Sequence, residues 1–134
     1  MSNKDLIKRA LNAMKTAYCP YSDFMVGAAL ITENGSIYTG CNIENCSFSA
    51  TVCAERTAFF KAVSQGETKF RAIAIVGGKK GENTDFCYPC GVCRQVMSEF
   101  CNDDFEIVLY NGTDIKTYTL GELLPHNFGR DSLC

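Results

Sequence analysis

The stretch Pro89-Cys90-Gly91-Val92-Cys93 constrains this chain more than any other. Two cysteines three positions apart, after a proline and around a glycine, bring two thiolates to one metal ion. The apolar positions Val92, Val96 and Phe100 then recur every four residues, which predicts one buried face of a helix beginning near Gly91. Cys90 falls at the helix N-cap and Cys93 in its first turn. There the unpaired backbone N–H groups and the positive end of the helix dipole favour thiolate over thiol. Two thiolates do not complete a tetrahedral site, so a second segment of the chain must deliver further ligands.

With 134 residues the chain is expected to form a single domain spanning residues 1–134 and to bury a real core without staples. Hydrophobic residues make up 46% and charged residues 21%, ordinary values for a globular protein. A formal net charge of -2 offers no general attraction to nucleic acid or anionic lipid, so neither is expected as a partner. No apolar run has the length of a membrane span, and the polar N-terminus shows no leader pattern, so a cytoplasmic location is expected. Nine cysteines admit a secreted disulfide scaffold. The regular apolar patterns and the chain length favour reduced thiols with a metal instead.

The remaining elements frame this motif. Asp5 to Tyr18 reads as an amphipathic helix through Leu6, Ala10, Ala13, Met14 and Ala17. Tyr18-Cys19-Pro20-Tyr21-Ser22 is a loop whose tyrosines either wall a pocket or cover the core. Phe24 to Thr32 and Ile37 to Ile43 form a hairpin around Asn34-Gly35. Asn42 and Glu44 at its far end project to one side of an extended chain; they hold a polyol or are a solvated strand end. Cys46 to Val52 is an irregular linker. A strongly apolar helix follows Cys53 and ends at Gln65-Gly66. Phe70 to Val76 is a strand buried on both faces, and Gly77 to Gly81 reads as a flexible turn without the phosphate-loop pattern. After the Cys90 helix come strands at Phe105 to Tyr110 and Ile115 to Leu120. A helical turn at Leu120 to Pro125 and a tail close the chain. This order predicts an α/β fold, a three-layer α/β/α sandwich on a mixed five-stranded sheet.

Cys53 also opens a helix. If two parallel crossovers lie side by side, the starts of both helices share one end of the sheet. Three thiolates, Cys53, Cys90 and Cys93, then meet one Zn²⁺ and leave a fourth position for water, the pattern of a catalytic site. Cys87 is the competing fourth ligand of a closed, structural site. Glu55 bears on the choice. It lies in the first turn of an otherwise apolar helix, where a buried carboxylate is costly unless it has a task. Beside activated water it would accept and deliver a proton; the plainer reading is a helix-dipole residue. Three thiolates on Zn²⁺ sum to a formal charge of about −1, which opposes ionisation of bound water. Arg56 would offset this by donating to ligand sulfurs; a surface salt bridge is its plainer role. The lone His126 reads as a surface or packing residue.

Cys53-Ala54-Glu55 followed by Pro89-Cys90-Gly91-Val92-Cys93 resembles the signature of the zinc nucleoside and nucleobase deaminases. From the first helix to Leu123-Leu124-Pro125 the chain is most similar to the small, homotetrameric cytidine deaminases with three cysteine ligands. Asn42-Ile43-Glu44 resembles that family's ribose clamp, and Phe24-Met25-Val26-Gly27-Ala28 the stretch whose aromatic ring flanks the pyrimidine. The resemblance implies hydrolytic deamination of cytidine and 2′-deoxycytidine in pyrimidine salvage, with one Zn²⁺ per chain. Glu55 would be the proton shuttle, and the backbone of Ala54 would hold the exocyclic amine. Phe128 resembles the aromatic that reaches a neighbouring subunit's pocket, so sites would be shared within a homotetramer. Met25, Phe48 and His126-Asn127 depart from the common pattern. Blasticidin S deaminase shares the motif but lacks the Asn-x-Glu clamp, and a non-catalytic zinc module would have no use for Glu55.

Overall fold

The computed structural model describes residues 1–133; Cys134, a cysteine without an assigned role, lies outside them. Five strands form one mixed sheet in the order β2-β1-β3-β4-β5. Strand β1 (Phe24–Thr32) pairs antiparallel with both β2 (Ile37–Cys41) and β3 (Phe70–Lys79). Strand β3 pairs parallel with β4 (Glu106–Tyr110), and β5 (Ile115–Thr119) closes the other edge antiparallel. Since β2 and β3 both oppose β1, they run the same way. Helix α2 (Ala54–Ser64) links them across β1, and α3 (Gly91–Phe100) links β3 to β4. Both helices therefore begin beyond the same end of the sheet, the position where open α/β sheets place their ligands.

Alternation along the strands separates two cores. Ala29, Ile31, Ala72, Ala74, Val76 and Val108 face α1 (Asn3–Met14), which contributes Leu6, Ile7, Ala10 and Met14. Ala28, Leu30, Ile73, Ile75, Ile107 and Leu109 face α2 and α3, where Phe59 stands among Phe70, Phe100 and Phe105. The helices sit close enough that glycine is required beneath them. A Cβ at Gly40 would come within 2.5 Å of the Ala54 carbonyl oxygen, and one at Gly27 would run into the Ala10 carbonyl of α1. The first of these contacts seats the start of α2 on β2. No helix among the described residues is long and apolar enough to cross a membrane.

Four expectations are corrected. The first helix stops at Met14, not Tyr18, because the Tyr18 backbone is drawn into a bridge with Ile43: its N–H donates to Asn42 O (3.0 Å) and its carbonyl accepts from Glu44 N (2.8 Å). Strand β2 ends at Cys41, where the Asn42 side chain takes over pairing to β1. Gly77, Gly78 and Lys79 extend β3 opposite Val26, Met25 and Phe24 rather than forming a turn, since the long β1 supplies their backbone partners. In α3 the buried row is Cys93 and Met97, with Val96 and Phe100 half-covered, whereas Val92 is 56% exposed. The helix is turned so that Cys93 faces inward, and the apolar spacing alone misplaced the face.

Candidate metal centre and active site

Cys53 is the N-cap of α2 and Cys90 the N-cap of α3, each in an extended backbone conformation that turns its side chain across the helix start. The Sγ atoms of Cys53 and Cys90 are 3.7 Å apart, those of Cys90 and Cys93 3.5 Å, and all three lie within 4.8 Å of one another. Among the described residues this is the one grouping of three or more possible metal-ligating side chains. Two helix starts, set at the same sheet end by the two crossovers, thus deliver three soft donors at the separation a single ion needs. The donor set fits zinc, and its three sulfurs are one fewer than a closed structural site would use. Cys87 is not part of the grouping. It packs beside Gly77, and burial, with the charges of Glu55 and Cys53, pushes its thiol up to about 12.

Hydrogen bonding within the trio holds its charge on Cys53. The Cys93 thiol contributes most, burial opposes, and Arg56 and Cys90 assist, so that Cys53 titrates at about 5. Cys93, on the donating side of that bond, is pushed far up. A bound metal would deprotonate all three. Nη2 of Arg56 donates to Cys53 Sγ at 3.4 Å, while its Nε is buried without a partner. Glu55 is 4% exposed in the first turn of α2. Burial, reinforced by Cys53, raises its carboxyl to about 7 against the pull of its own backbone N–H, Cys93 and Arg56. A carboxyl placed there is poised to take up or release a proton near neutrality. Ala54, between Cys53 and Glu55, is fully buried.

Asn42 and Glu44 both grip the segment leading into β1. Oδ1 of Asn42 accepts from Val26 N (2.9 Å) and Nδ2 donates to Phe24 O (2.7 Å). Each end of that amide keeps one further bond for a ligand. The Glu44 carboxylate accepts from the backbone of Tyr21 (2.9 Å) and Ser22 (3.2 Å) and from the Ser22 hydroxyl, which holds it below the usual carboxylate range. Neither is a loosely solvated strand end. Phe24, 40% exposed, stands beside them, and Tyr21, Glu44 and Phe48 line a shallow cavity of about 390 Å³. Tyr18 and Tyr21, each 57% exposed, do not cover the core. Phe128 is set apart: its ring is 63% exposed and its carbonyl is held by Gln95 Nε2 at 2.7 Å. Sequence reasoning missed Ser22, which also caps Phe24 N at 3.0 Å; its signal was a serine two residues before a strand. The eight described cysteines are free thiols.

Residues 1–109 match the family model described as the cytidine and deoxycytidylate deaminase zinc-binding region. A protein of Sporosarcina psychrophila named cytidine deaminase is 49% identical over 134 residues, covering 99% of this chain and 96% of its own. The crystal structure of cytidine deaminase from Burkholderia pseudomallei superposes with a TM-score of 0.88 at 45% identity, covering 96% of this chain and 100% of that one. A Bacillus cereus protein named blasticidin-S deaminase is 36% identical over 110 residues, covering 79% of this chain and 78% of its own. By its matched length, its motif and its fold, this chain belongs to the cytidine and deoxycytidylate deaminase family.

Proposed function

We propose that the chain is a single catalytic domain that hydrolyses cytidine and 2′-deoxycytidine to uridine and 2′-deoxyuridine, with release of ammonia, in pyrimidine salvage. The observation that carries this is a buried carboxylate, Glu55, in the same helix turn as an open three-sulfur cluster. Zinc held by Cys53, Cys90 and Cys93 would supply the Lewis acidity that makes water a nucleophile toward C4 of the pyrimidine. Glu55 takes the proton given up by that water and delivers it to N3; it then takes the proton of the hydroxyl added at C4, as the C4 carbonyl forms and the C4–N bond breaks, and passes it to the departing amine, which leaves as ammonia. The Ala54 backbone holds the exocyclic amine. Asn42 and Glu44 bind the ribose through the bonding capacity left on their pinned side chains, and Phe24 flanks the base. Arg56, through its bond to Cys53, draws charge off the ligand sulfur.

Exposure of Phe48 (80%), Phe60 (49%) and Phe128 (63%) supports assembly into a homotetramer in which Phe128 reaches a neighbour's site. Free thiols fit a reducing, cytoplasmic compartment. Blasticidin S is the rival substrate, and the firmly held Asn42–Glu44 pair favours a nucleoside over it. Incubation of purified protein with cytidine, followed by the ultraviolet change on loss of the amino group and repeated with a chelator, tests the reading. Turnover that zinc restores is expected. Zinc binding without turnover of cytidine or 2′-deoxycytidine would overturn it.

A further inference from the structure

Arg94 directly follows the Cys90/Cys93 pair, and its guanidinium is committed to two backbone carbonyls. Nε donates to Pro89 O at 2.8 Å and Nη1 to Leu123 O at 2.6 Å. The first acceptor belongs to the residue immediately before Cys90. The second opens a C-terminal strap, residues 123–128, that crosses α3. Gln95 holds the other end of this strap at Phe128 O, and Asn127 pins its middle, donating 3.3 Å bonds to Leu124 O and Asp103 Oδ1. The strap's base is anchored separately: Leu120 N donates to Phe105 O and Gly121 N to Asp103 O, both at 2.9 Å.

We propose that Arg94 is a positioning residue that ties the Cys90 ligand to the C-terminal strap, so that zinc affinity depends on how the strap is seated. The inference rests on the three-sulfur zinc site proposed above. Cys90 lies outside the regular helix as its N-cap, so its sulfur is aimed by the peptide that joins it to Pro89. That peptide consists of the Pro89 carbonyl and the Cys90 N–H, and Arg94 holds its carbonyl. A planar guanidinium fixes both acceptors in one geometry, so a shift of Leu123 is passed to Pro89 and on to the Cys90 sulfur, 3.5 Å from one partner and 3.7 Å from the other. Linkage makes the effect reciprocal: what seats the strap tightens zinc, and zinc seats the strap.

Zinc affinity measured by competition with a chromogenic chelator tests this in Arg94→Lys, Asn127→Ala and the double variant. A single ammonium does not bridge both carbonyls in the fork's geometry, so Arg94→Lys is expected to bind zinc about 10–100-fold more weakly. Asn127→Ala should weaken it less, and the double variant should be no worse than Arg94→Lys, because both act along one connection. Amide exchange in residues 123–128 of the wild-type chain should quicken when zinc is removed. Unchanged affinity in a folded Arg94→Lys, or losses that multiply in the double variant, would overturn the coupling alone. If Arg94→Lys does not fold, Asn127→Ala decides: full wild-type affinity there also ends the proposal. A wild-type chain that binds no zinc would instead defeat the metal site itself, and the coupling with it.

Discussion

Helices α2 and α3 open in the same way and are used differently. Each starts from a cysteine N-cap in an extended conformation, and each points its dipole at the same sulfur cluster. Helix α2 contributes one sulfur and then buries its first turn: Ala54 is fully covered and Glu55 nearly so. Helix α3 contributes two sulfurs and leaves the residues between them, Gly91 and Val92, in the open. The reason lies in sheet order. Helix α2 crosses over the interior strand β1 and seats its first turn on β2, while α3 spans the adjacent pair β3 and β4. A carboxylate must lose water to titrate near neutrality, so only the buried helix can carry the proposed proton shuttle. Presenting ligands at a helix start needs no such exclusion of water, so α3 can offer its two sulfurs beside residues left in the open.

The largest effects should come from breaking the cluster that the two helices share. Cys53→Ala and Cys90→Ala should each yield protein without zinc and without activity, since neither helix offers enough ligands alone. Cys87→Ala should keep both, as its sulfur lies outside the trio. Metal analysis of the three variants checks this, and zinc loss in Cys87→Ala would return the closed four-sulfur site to contention. Next in size is Glu55→Gln, which separates the two helices' duties. Zinc content should stay at one per chain while kcat falls about 10²–10⁴-fold, the usual contribution of a positioned acid–base group. Equal loss of zinc and activity would mean that Glu55 serves the metal rather than the proton.

The two helix starts were also unequally legible in the sequence. Cys90, Cys93 and Cys53 could be read because ligand spacing and helix-start chemistry are local. The sheet was legible in outline because β1 and β3 carry long apolar runs. What local pattern could not supply was orientation. Val92 fits a four-residue repeat with Val96 and Phe100, yet the buried row runs through Cys93 and Met97, since cysteine packs as an apolar residue there. Gly77 and Gly78 read as a turn because glycine usually marks one. Their strand is set by Met25 and Val26 some fifty residues earlier. Arg94 and Ser22 gave no strong signal, as their partners are backbone atoms that any sequence supplies.

Arg56 sharpens the contrast at smaller scale, because the α2 ligand receives a guanidinium at its sulfur while Arg94 of α3 turns away to carbonyls. Arg56→Ala should retain zinc, lower kcat about 10-fold or more, and raise the pH at which activity appears. The sign follows from charge. Removing a cation beside three thiolates leaves the centre more negative, which opposes ionisation of the attacking water. An unmoved pH–rate profile would strip Arg56 of that role.

The smallest effect concerns the open face of α3. Met97, fully buried, should cost about 2–5 kcal/mol on replacement by alanine, through lost burial and the cavity left behind. Val92→Ser, nearer the start of α3 on the exposed side, should change stability by less than about 0.5 kcal/mol if water is its neighbour. Denaturant melts of the two variants compare the faces directly, and dilution adds the deciding measurement. If Val92→Ser costs more than about 1 kcal/mol and the cost grows with protein concentration, a neighbouring subunit covers this face. The openness of α3 would then be the shape of an interface rather than a surface left to solvent. The division between a buried catalytic helix and an exposed capturing helix would hold only within one subunit.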